Sequence, residues 1–294
     1  MNVLIVYAHP EPRSLNGALR DLAVRHLTAR GHAVRVSDLY AMRWNAVADR
    51  DDFVDHDAAA RLVYVRASRD AFAGGTQRPE LAVEQDKLRW ADAVIFQFPL
   101  WWFSVPAILK GWIERVFAYG FAYGVGVHEG ERWGDRYGEG TLVGRRAMLS
   151  MTIGGRAPHY SDRGVNGALD DMLYPIQHGI LFYPGMDVMP PFAIYQADRL
   201  TAEQWRSAAA AFEARLDGLF TDDPIPFRRQ NGGHYDGQQV LKPGLGDGAS
   251  GTRIHLVAPG EPAQHPERYA APRTVSSAIH PSPTSDPSQN SERT

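Results

Sequence analysis

Three short segments hold the residues best suited to chemistry. The first is His9-Pro10-Glu11-Pro12-Arg13-Ser14-Leu15-Asn16, with Ala18 just beyond it. It sets an imidazole, a hydroxyl and an amide where a helical pattern begins, and free N–H groups at a helix start attract an anion such as a phosphate. It is neither GxGxxG nor GxxxxGK[ST], so no dinucleotide fingerprint or P-loop is present. A helix cap at Ser14 with Asn16 in solvent fits the local pattern equally well. The second is Phe98-Pro99-Leu100-Trp101-Trp102-Phe103-Ser104-Val105-Pro106. Three consecutive aromatics can form a packed corner or a wall for a flat ligand, and their place at the end of an apolar run favours the wall. The third is Thr152-Ile153-Gly154-Gly155, whose paired glycines allow close backbone approach to a ligand or simply a tight turn.

The elements that must position these segments can be read from periodicity. Residues 3–7, 33–36, 93–98 and 147–153 are short runs rich in Val, Ile, Leu, Met and Phe, as expected of strands buried on both faces. A fifth run, 186–195, contains Pro190 and Pro191 and is expected to be an edge or broken strand. Helical spacing covers 15–30 with Ser14 as cap and Gly31 as stop, 105–119 with Ser104 as cap, and 201–220 opening on Thr201. The alternation predicts an α/β fold, a doubly wound parallel sheet of five strands with helices on both faces. Ligands of such sheets sit beyond the carboxyl ends of the strands, where the three segments fall. The layout is an α/β domain over 1–221, an irregular Gly/Asn/Gln-rich lobe over 222–257, and a Pro/Ser-rich tail over 258–294 expected to be disordered.

Composition excludes several classes. A net charge of −3 offers no electrostatic case for nucleic acid or an anionic membrane. There is no cysteine, hence no disulfide, thiolate metal site or Cys nucleophile. No run approaches the roughly 18 apolar residues of a membrane span, and the first eight residues read as a strand rather than a signal peptide, so a cytoplasmic protein without stable membrane insertion is expected. The 11 histidines are scattered without HExxH spacing, so no metal site is expected, and no G-x-S-x-G elbow is present. Glu114 and Arg115 read as structural ion-pair groups.

Taken together, residues 96–117 (Phe-Gln-Phe-Pro-Leu-Trp-Trp-Phe-Ser-Val-Pro-Ala-Ile-Leu-Lys-Gly-Trp-Ile-Glu-Arg-Val-Phe), Gly120-Phe121-Ala122-Tyr123, Pro175-Ile176-Gln177-His178-Gly179-Ile180-Leu181 and Ser37-Asp38-Leu39-Tyr40 are dense and specific. Over about residues 2–220 the chain resembles the two-electron NAD(P)H:quinone reductases of the DT-diaphorase type, bacterial branch, within the flavodoxin-like fold. The resemblance implies bound FAD, NADH or NADPH as hydride donor, a quinone-like acceptor, a ping-pong cycle, and a homodimer with sites at the subunit interface. It assigns His9, Ser14, Leu15, Asn16 and Ala18 to the phosphate-side loop. Pro99, Leu100, Trp101, Trp102 and Phe103 run along the flavin ring, with Thr152, Ile153, Gly154 and Gly155 at its other edge. Tyr160 is assigned near the pyrimidine side, and Trp102, Phe103 and Tyr123 to the acceptor pocket.

Two departures bear on chemistry. Asn166 stands where the family's well-studied members carry a histidine, so that position can donate a hydrogen bond but cannot become a cation. Val125 replaces a second pocket tyrosine, which predicts a more apolar, open pocket. FMN remains the alternative cofactor, and an FMN-dependent nitro- or azo-compound reductase the nearest alternative activity. A regulatory subunit of a potassium-efflux system is the alternative outside enzymology.

Overall fold

The computed structural model describes residues 1–130 and 132–264. Strands β1 (Asn2–Tyr7), β2 (Ala33–Asp38), β3 (Ala93–Pro99), β4 (Arg146–Ile153), β5 (Asp187–Val188) and β6 (Phe192–Tyr195) form one parallel sheet. Its order is β2-β1-β3-β4-β5, with β6 also paired to β4. The order reverses between β1 and β3, which opens the crevice expected of a doubly wound sheet. The fifth run is indeed broken. Met189, Pro190 and Pro191 separate β5 from β6, and both halves pair with β4 along its length, because proline supplies no N–H to a ladder.

Alternate residues of the central strands feed two cores. Val3, Ile5, Ala93, Ile95 and Met148 pack under α1 (Leu15–Ala29) and the C-terminal helix Ala202–Asp217. Leu4, Val6, Val94, Phe96, Leu149 and Met151 pack under helices on the other face. These helices are α2 (Tyr64–Gly74), α3 (Pro79–Trp90), α4 (Ala107–Val116) and α5 (Leu169–Ile176), the last running into a π-helical turn, Gln177–Phe182. The C-terminal helix is α6. The strands β1, β3 and β4 are buried along nearly their whole length. β2 is not, since it is an edge strand largely open on its outer side.

Sequence periodicity and structure differ at some helices. α4 starts at Ala107 behind Pro106 and ends at Val116, with no side-chain cap from Ser104. Ser104 is instead taken up in a tight turn with Trp101. α2, α3 and α5 were not legible as periodic runs, since each buries only two to four residues, too narrow a stripe to stand out. Ser14 and Thr201 do cap α1 and α6, the latter with a reciprocal bond from Gln204.

Beyond α6 the described chain is irregular apart from a 3₁₀ turn directly after the helix, Gly218–Phe220, isolated bridges and a second 3₁₀ turn, Gly251–His255. Its anchor is Arg228, fully buried, which donates to Ile254 O, His234 Nδ1 and Glu261. Glu261 and Gln264, which composition assigns to the tail, bond into this lobe. The remainder of the expected disordered tail, 265–294, lies outside the described residues. Among the described residues no helix is long and apolar enough to cross a membrane. Arg115 is buried and paired with Asp52 at 2.5 Å and Glu80 at 3.0 Å, and Glu114 pairs with Lys110. Both are structural ion pairs, as their types suggested.

Candidate active site

The three segments meet at one edge of the sheet through buried amides. Asn16 Nδ2 donates to Thr152 Oγ1 at 2.7 Å, and Gln97 Nε2 donates to Asn16 Oδ1 at 2.8 Å. Asn16, Gln97 and Thr152 are 2%, 1% and 6% exposed. This chain of bonds ties the start of α1 to the ends of β3 and β4. Asn16 therefore does not face solvent. Its amide is a brace, and in a low-dielectric surrounding such a bond is strong while an unmade one is costly. Leu100 N–H donates to Thr152 O at 2.9 Å, closing the second join between the β3 and β4 loops. Gln97 carries no signal of its own in the sequence. Its role depends on which strand ends are neighbours, which spacing along the chain does not disclose.

The first loop wraps tightly onto the helix it opens. Ser14 Oγ accepts from Gly17 N–H at 3.2 Å, and His9 Nδ1 accepts from Glu11 N–H at 3.1 Å. The first turn of α1 carries no acidic residue, and the one carboxylate of the loop before it, Glu11, is paired with Arg13, so the N–H groups at the helix start suit an anion. Gly17 is a residue that pattern reading passed over. A β-carbon there would lie 1.8 Å from Pro12 O, so the loop can pack on the helix only because Gly17 has no side chain.

The aromatic segment is a strained turn. Trp101 N–H donates to Ser104 O at 3.1 Å and Ser104 N–H to Trp101 O at 3.0 Å. Between them Trp102 and Phe103 both have positive φ, 49° and 60°. Two positive φ values in a two-residue loop make a type I′ turn, whose favoured residues are Asn and Gly. Two bulky aromatics in that conformation store about 1–2 kcal/mol each. Trp102 is nonetheless 91% exposed and Phe103 51%, so packing in this chain offsets little of the strain at Trp102. The ring of His9 lies 5.9 Å from that of Trp101, which sets the first loop beside this turn.

At the third loop a β-carbon on Gly154 would meet nothing within 4 Å, whereas one on Gly155 would strike the ring of Tyr160 at 2.8 Å. Gly154 thus leaves open space beside the brace, and Gly155 lets Tyr160 lie on the backbone. Tyr160 is half-buried and packs near Tyr195, 5.8 Å between rings. Asn166 lies on the same folded loop, its N–H donating to His159 O at 3.0 Å.

Tyr123 and Val125 are placed elsewhere. Tyr123 packs edge-on to Tyr119 at 5.3 Å and lines an open groove of about 260 Å³ with Ile113, Phe117, Ile180 and Tyr183. Burial raises its hydroxyl above the ordinary tyrosine range. Val125 O accepts from Asp135 N–H at 3.0 Å in the following loop. None of these contacts reaches the three braced segments.

A flat, anion-bearing cofactor fits what the braced edge offers. Leu15 and Asn16 present helix-start N–H groups, Gly154 leaves unfilled space, and the Trp102–Phe103 turn exposes two rings. The comparisons with known proteins agree. The model of the family described as flavodoxin-like fold matches residues 1–216. The chain belongs to the flavodoxin-like quinone reductase family. A Klebsiella pneumoniae structure solved as a candidate quinone reductase is 58% identical with a TM-score of 0.85, covering 87% of this chain and 100% of that one. A ribosyldihydronicotinamide dehydrogenase-like protein of Penicillium crustosum is 49% identical over 257 residues, 87% of this chain and 95% of that protein. The human ribosyldihydronicotinamide dehydrogenase [quinone] is 40% identical over 225 residues, 76% of this chain and 94% of that protein. The family model stops just short of the end of α6, while the Penicillium match is long enough to reach well into the lobe beyond it.

Proposed function

We propose that this quinone reductase family member carries two electrons, as hydride, from NADH or NADPH through a bound FAD to a quinone-like acceptor, in a ping-pong cycle and as a homodimer. The observation that carries the reading is the Asn16–Gln97–Thr152 brace. It holds three loops in fixed relation at the sheet edge, and preorganised groups are what a tightly held cofactor requires.

His9, Ser14, Leu15, Asn16 and Ala18 would hold the phosphate end. Pro99 to Phe103 and Thr152 to Gly155 would hold the ring between them. When bound, the flavin supplies a ring that accepts hydride from the nicotinamide and releases it to the acceptor. The protein's part is binding, orientation and charge. With a flavin bound, Tyr160 and Asn166 would offer hydrogen-bond donors toward its pyrimidine side, and donors set in place beforehand act without reorganisation. Since Asn166 cannot take up a proton, reduction should vary less with pH near neutrality than a histidine would make it. Trp102 and Phe103, held in a stiff turn, would shield a bound flavin from water.

The homodimer reading is supported by Tyr123. It is assigned to the acceptor pocket yet has no contact with the braced loops of its own chain. A second copy that lays this groove against the braced edge completes the pocket.

The test is direct. Purified protein should show a flavin spectrum, release FAD by mass, bleach on anaerobic NADH or NADPH, and recover with a quinone. Parallel-line kinetics and a dimer by sedimentation complete the expectation. Release of FMN, with azo or nitro compounds turned over in preference to quinones, would replace the cofactor and acceptor assignments. No flavin after reconstitution would reject the enzyme reading.

A further inference from the structure

The loop that carries Tyr160 and Asn166 closes on itself. Gly164 N–H donates to Ser161 O at 2.9 Å, Asn166 N–H to His159 O at 3.0 Å, and Gly167 N–H to Gly164 O at 3.0 Å. Ser161 Oγ donates to Pro158 O at 2.9 Å. Among the described residues, its side-chain hydrogen bonds to another element both come from Arg253 of the C-terminal lobe, Nη2 to Asp162 Oδ1 at 2.5 Å and Nη1 to Asp162 Oδ2 at 3.5 Å. The neighbouring Thr252 Oγ1 donates to Asp171 Oδ1 at 2.8 Å, and Arg253 lies 3.7 Å from Asp171 Oδ2. Asp162 precedes Asn166 by one turn of loop, and Asp171 follows it in the first turn of α5. Two adjacent lobe residues therefore grip the chain on both sides of Asn166.

The grip is mounted on a rigid base. Ile254 O accepts from the buried Arg228 Nε at 2.8 Å, and His255 O accepts from Arg228 N–H at 2.9 Å. Tyr235 Oη meets His255 Nδ1 at 2.8 Å. The 3₁₀ turn Gly251–His255 thus cannot shift without disturbing the lobe's own buried centre. The Arg253 guanidinium also holds the Asp162 carboxyl below the usual carboxylate range, so the pair is charged at neutral pH.

We propose that the C-terminal lobe is a positioning strap for the active site: Thr252 and Arg253 hold the Tyr160–Asn166 loop through Asp162 and Asp171. The proposal rests on the flavin reading for its kinetic consequence but not for its structural one. Arg253 touches no reacting atom and is a positioning residue. Its pair with Asp162 is half-exposed, so the effect is modest and sensitive to salt.

The test uses the full-length holoenzyme with NADPH in anaerobic stopped flow. R253A and D162A should reduce flavin about fivefold more slowly, the upper range for a surface pair, with melting temperature and flavin affinity unchanged. The conservative variant R253K, which keeps the positive charge facing Asp162 and Asp171, should recover most of the wild-type rate. Molar salt should slow the wild type toward R253A and leave R253A where it is. Backbone exchange gives a readout that needs no turnover: amides of residues 164–167 should exchange about fivefold faster in R253A. Wild-type exchange and wild-type rates in R253A would overturn the strap. If the wild type holds no reducible flavin, the enzyme reading fails by itself, and the exchange experiment still decides the strap.

Discussion

Replacing Gly17 by alanine sets two well-characterised effects against each other. Gly17 sits in the first turn of α1, and by helix propensity alone alanine should stabilise it by up to about 1 kcal/mol. The structure reverses that sign. The new β-carbon would stand 1.8 Å from Pro12 O and 2.7 Å from Pro12 C, where real contacts do not fall below 3.0 Å. The obstacle is backbone, so the loop between β1 and α1 must retreat by more than an ångström. Overpacking of this kind costs about 1–3 kcal/mol, and a clash this deep against backbone falls at about 2–3 kcal/mol, which outweighs the propensity gain and leaves a net loss of about 1–2 kcal/mol. That corresponds to a melting temperature lower by roughly 2–6 °C. The loop carries His9 and adjoins the helix-start N–H groups, so a bound phosphate loses one charge-assisted hydrogen bond or more, and flavin affinity should fall about 10–100-fold. Scanning calorimetry of the apoprotein and fluorescence titration with FAD measure both quantities. Gly74→Ala is the control, because a β-carbon there meets only Thr76 at 3.8 Å. If Gly17→Ala melts at or above wild type and binds flavin within twofold, the close approach of Pro12 does not shape the site as argued.

Three further outcomes follow from the site's physics. Trp102→Asn/Phe103→Gly relieves two left-handed aromatics, so the melting temperature should rise, by up to about 2–4 kcal/mol of stability, while kcat/KM for a quinone drops at least tenfold; unchanged turnover would make the strained turn merely structural. Asn16→Leu leaves both Gln97 Nε2 and Thr152 Oγ1 without their partner and should destabilise by about 2–4 kcal/mol. Gln97→Leu only exchanges the already unpartnered Gln97 Oε1 for an unpartnered Asn16 Oδ1, so its loss should be within about 1 kcal/mol, and urea melts showing the opposite order would refute the brace. His178 stacks between Tyr137 and Tyr174, and burial, with His255 nearby, pulls its imidazole down to about 4. The unfolded imidazole, with a pKa near 6.5, takes its proton first, so stability should fall as pH drops from about 6.5 to about 4, by at most about 3 kcal/mol, and stay full above that window. His178→Phe should flatten that slope in calorimetry across pH.

How much of this was legible beforehand depended on the range of the interaction. The four apolar runs, the broken fifth strand and the caps at Ser14 and Thr201 are local facts, governed by burial on both faces, by proline's missing N–H and by side chains bonding three residues ahead. They were readable from spacing alone. The short helices over 64–74 and 79–90 were not, because their stability comes from docking a few residues on a core that periodicity does not display.

The sequence by itself determined the sheet, the three loops at its edge and the family. Residue types limited to the short range sufficed for that. Only the tertiary structure decided that Asn16 is an internal brace with Gln97, and that Trp102 and Phe103 sit in left-handed conformations. It alone set Tyr123 apart from the loops it was assigned with, and brought Arg253 to Asp162, 91 residues away. Each of these depends on which distant strand ends and loops become neighbours, and that is settled when the sheet closes its cores, not by any pattern along the chain.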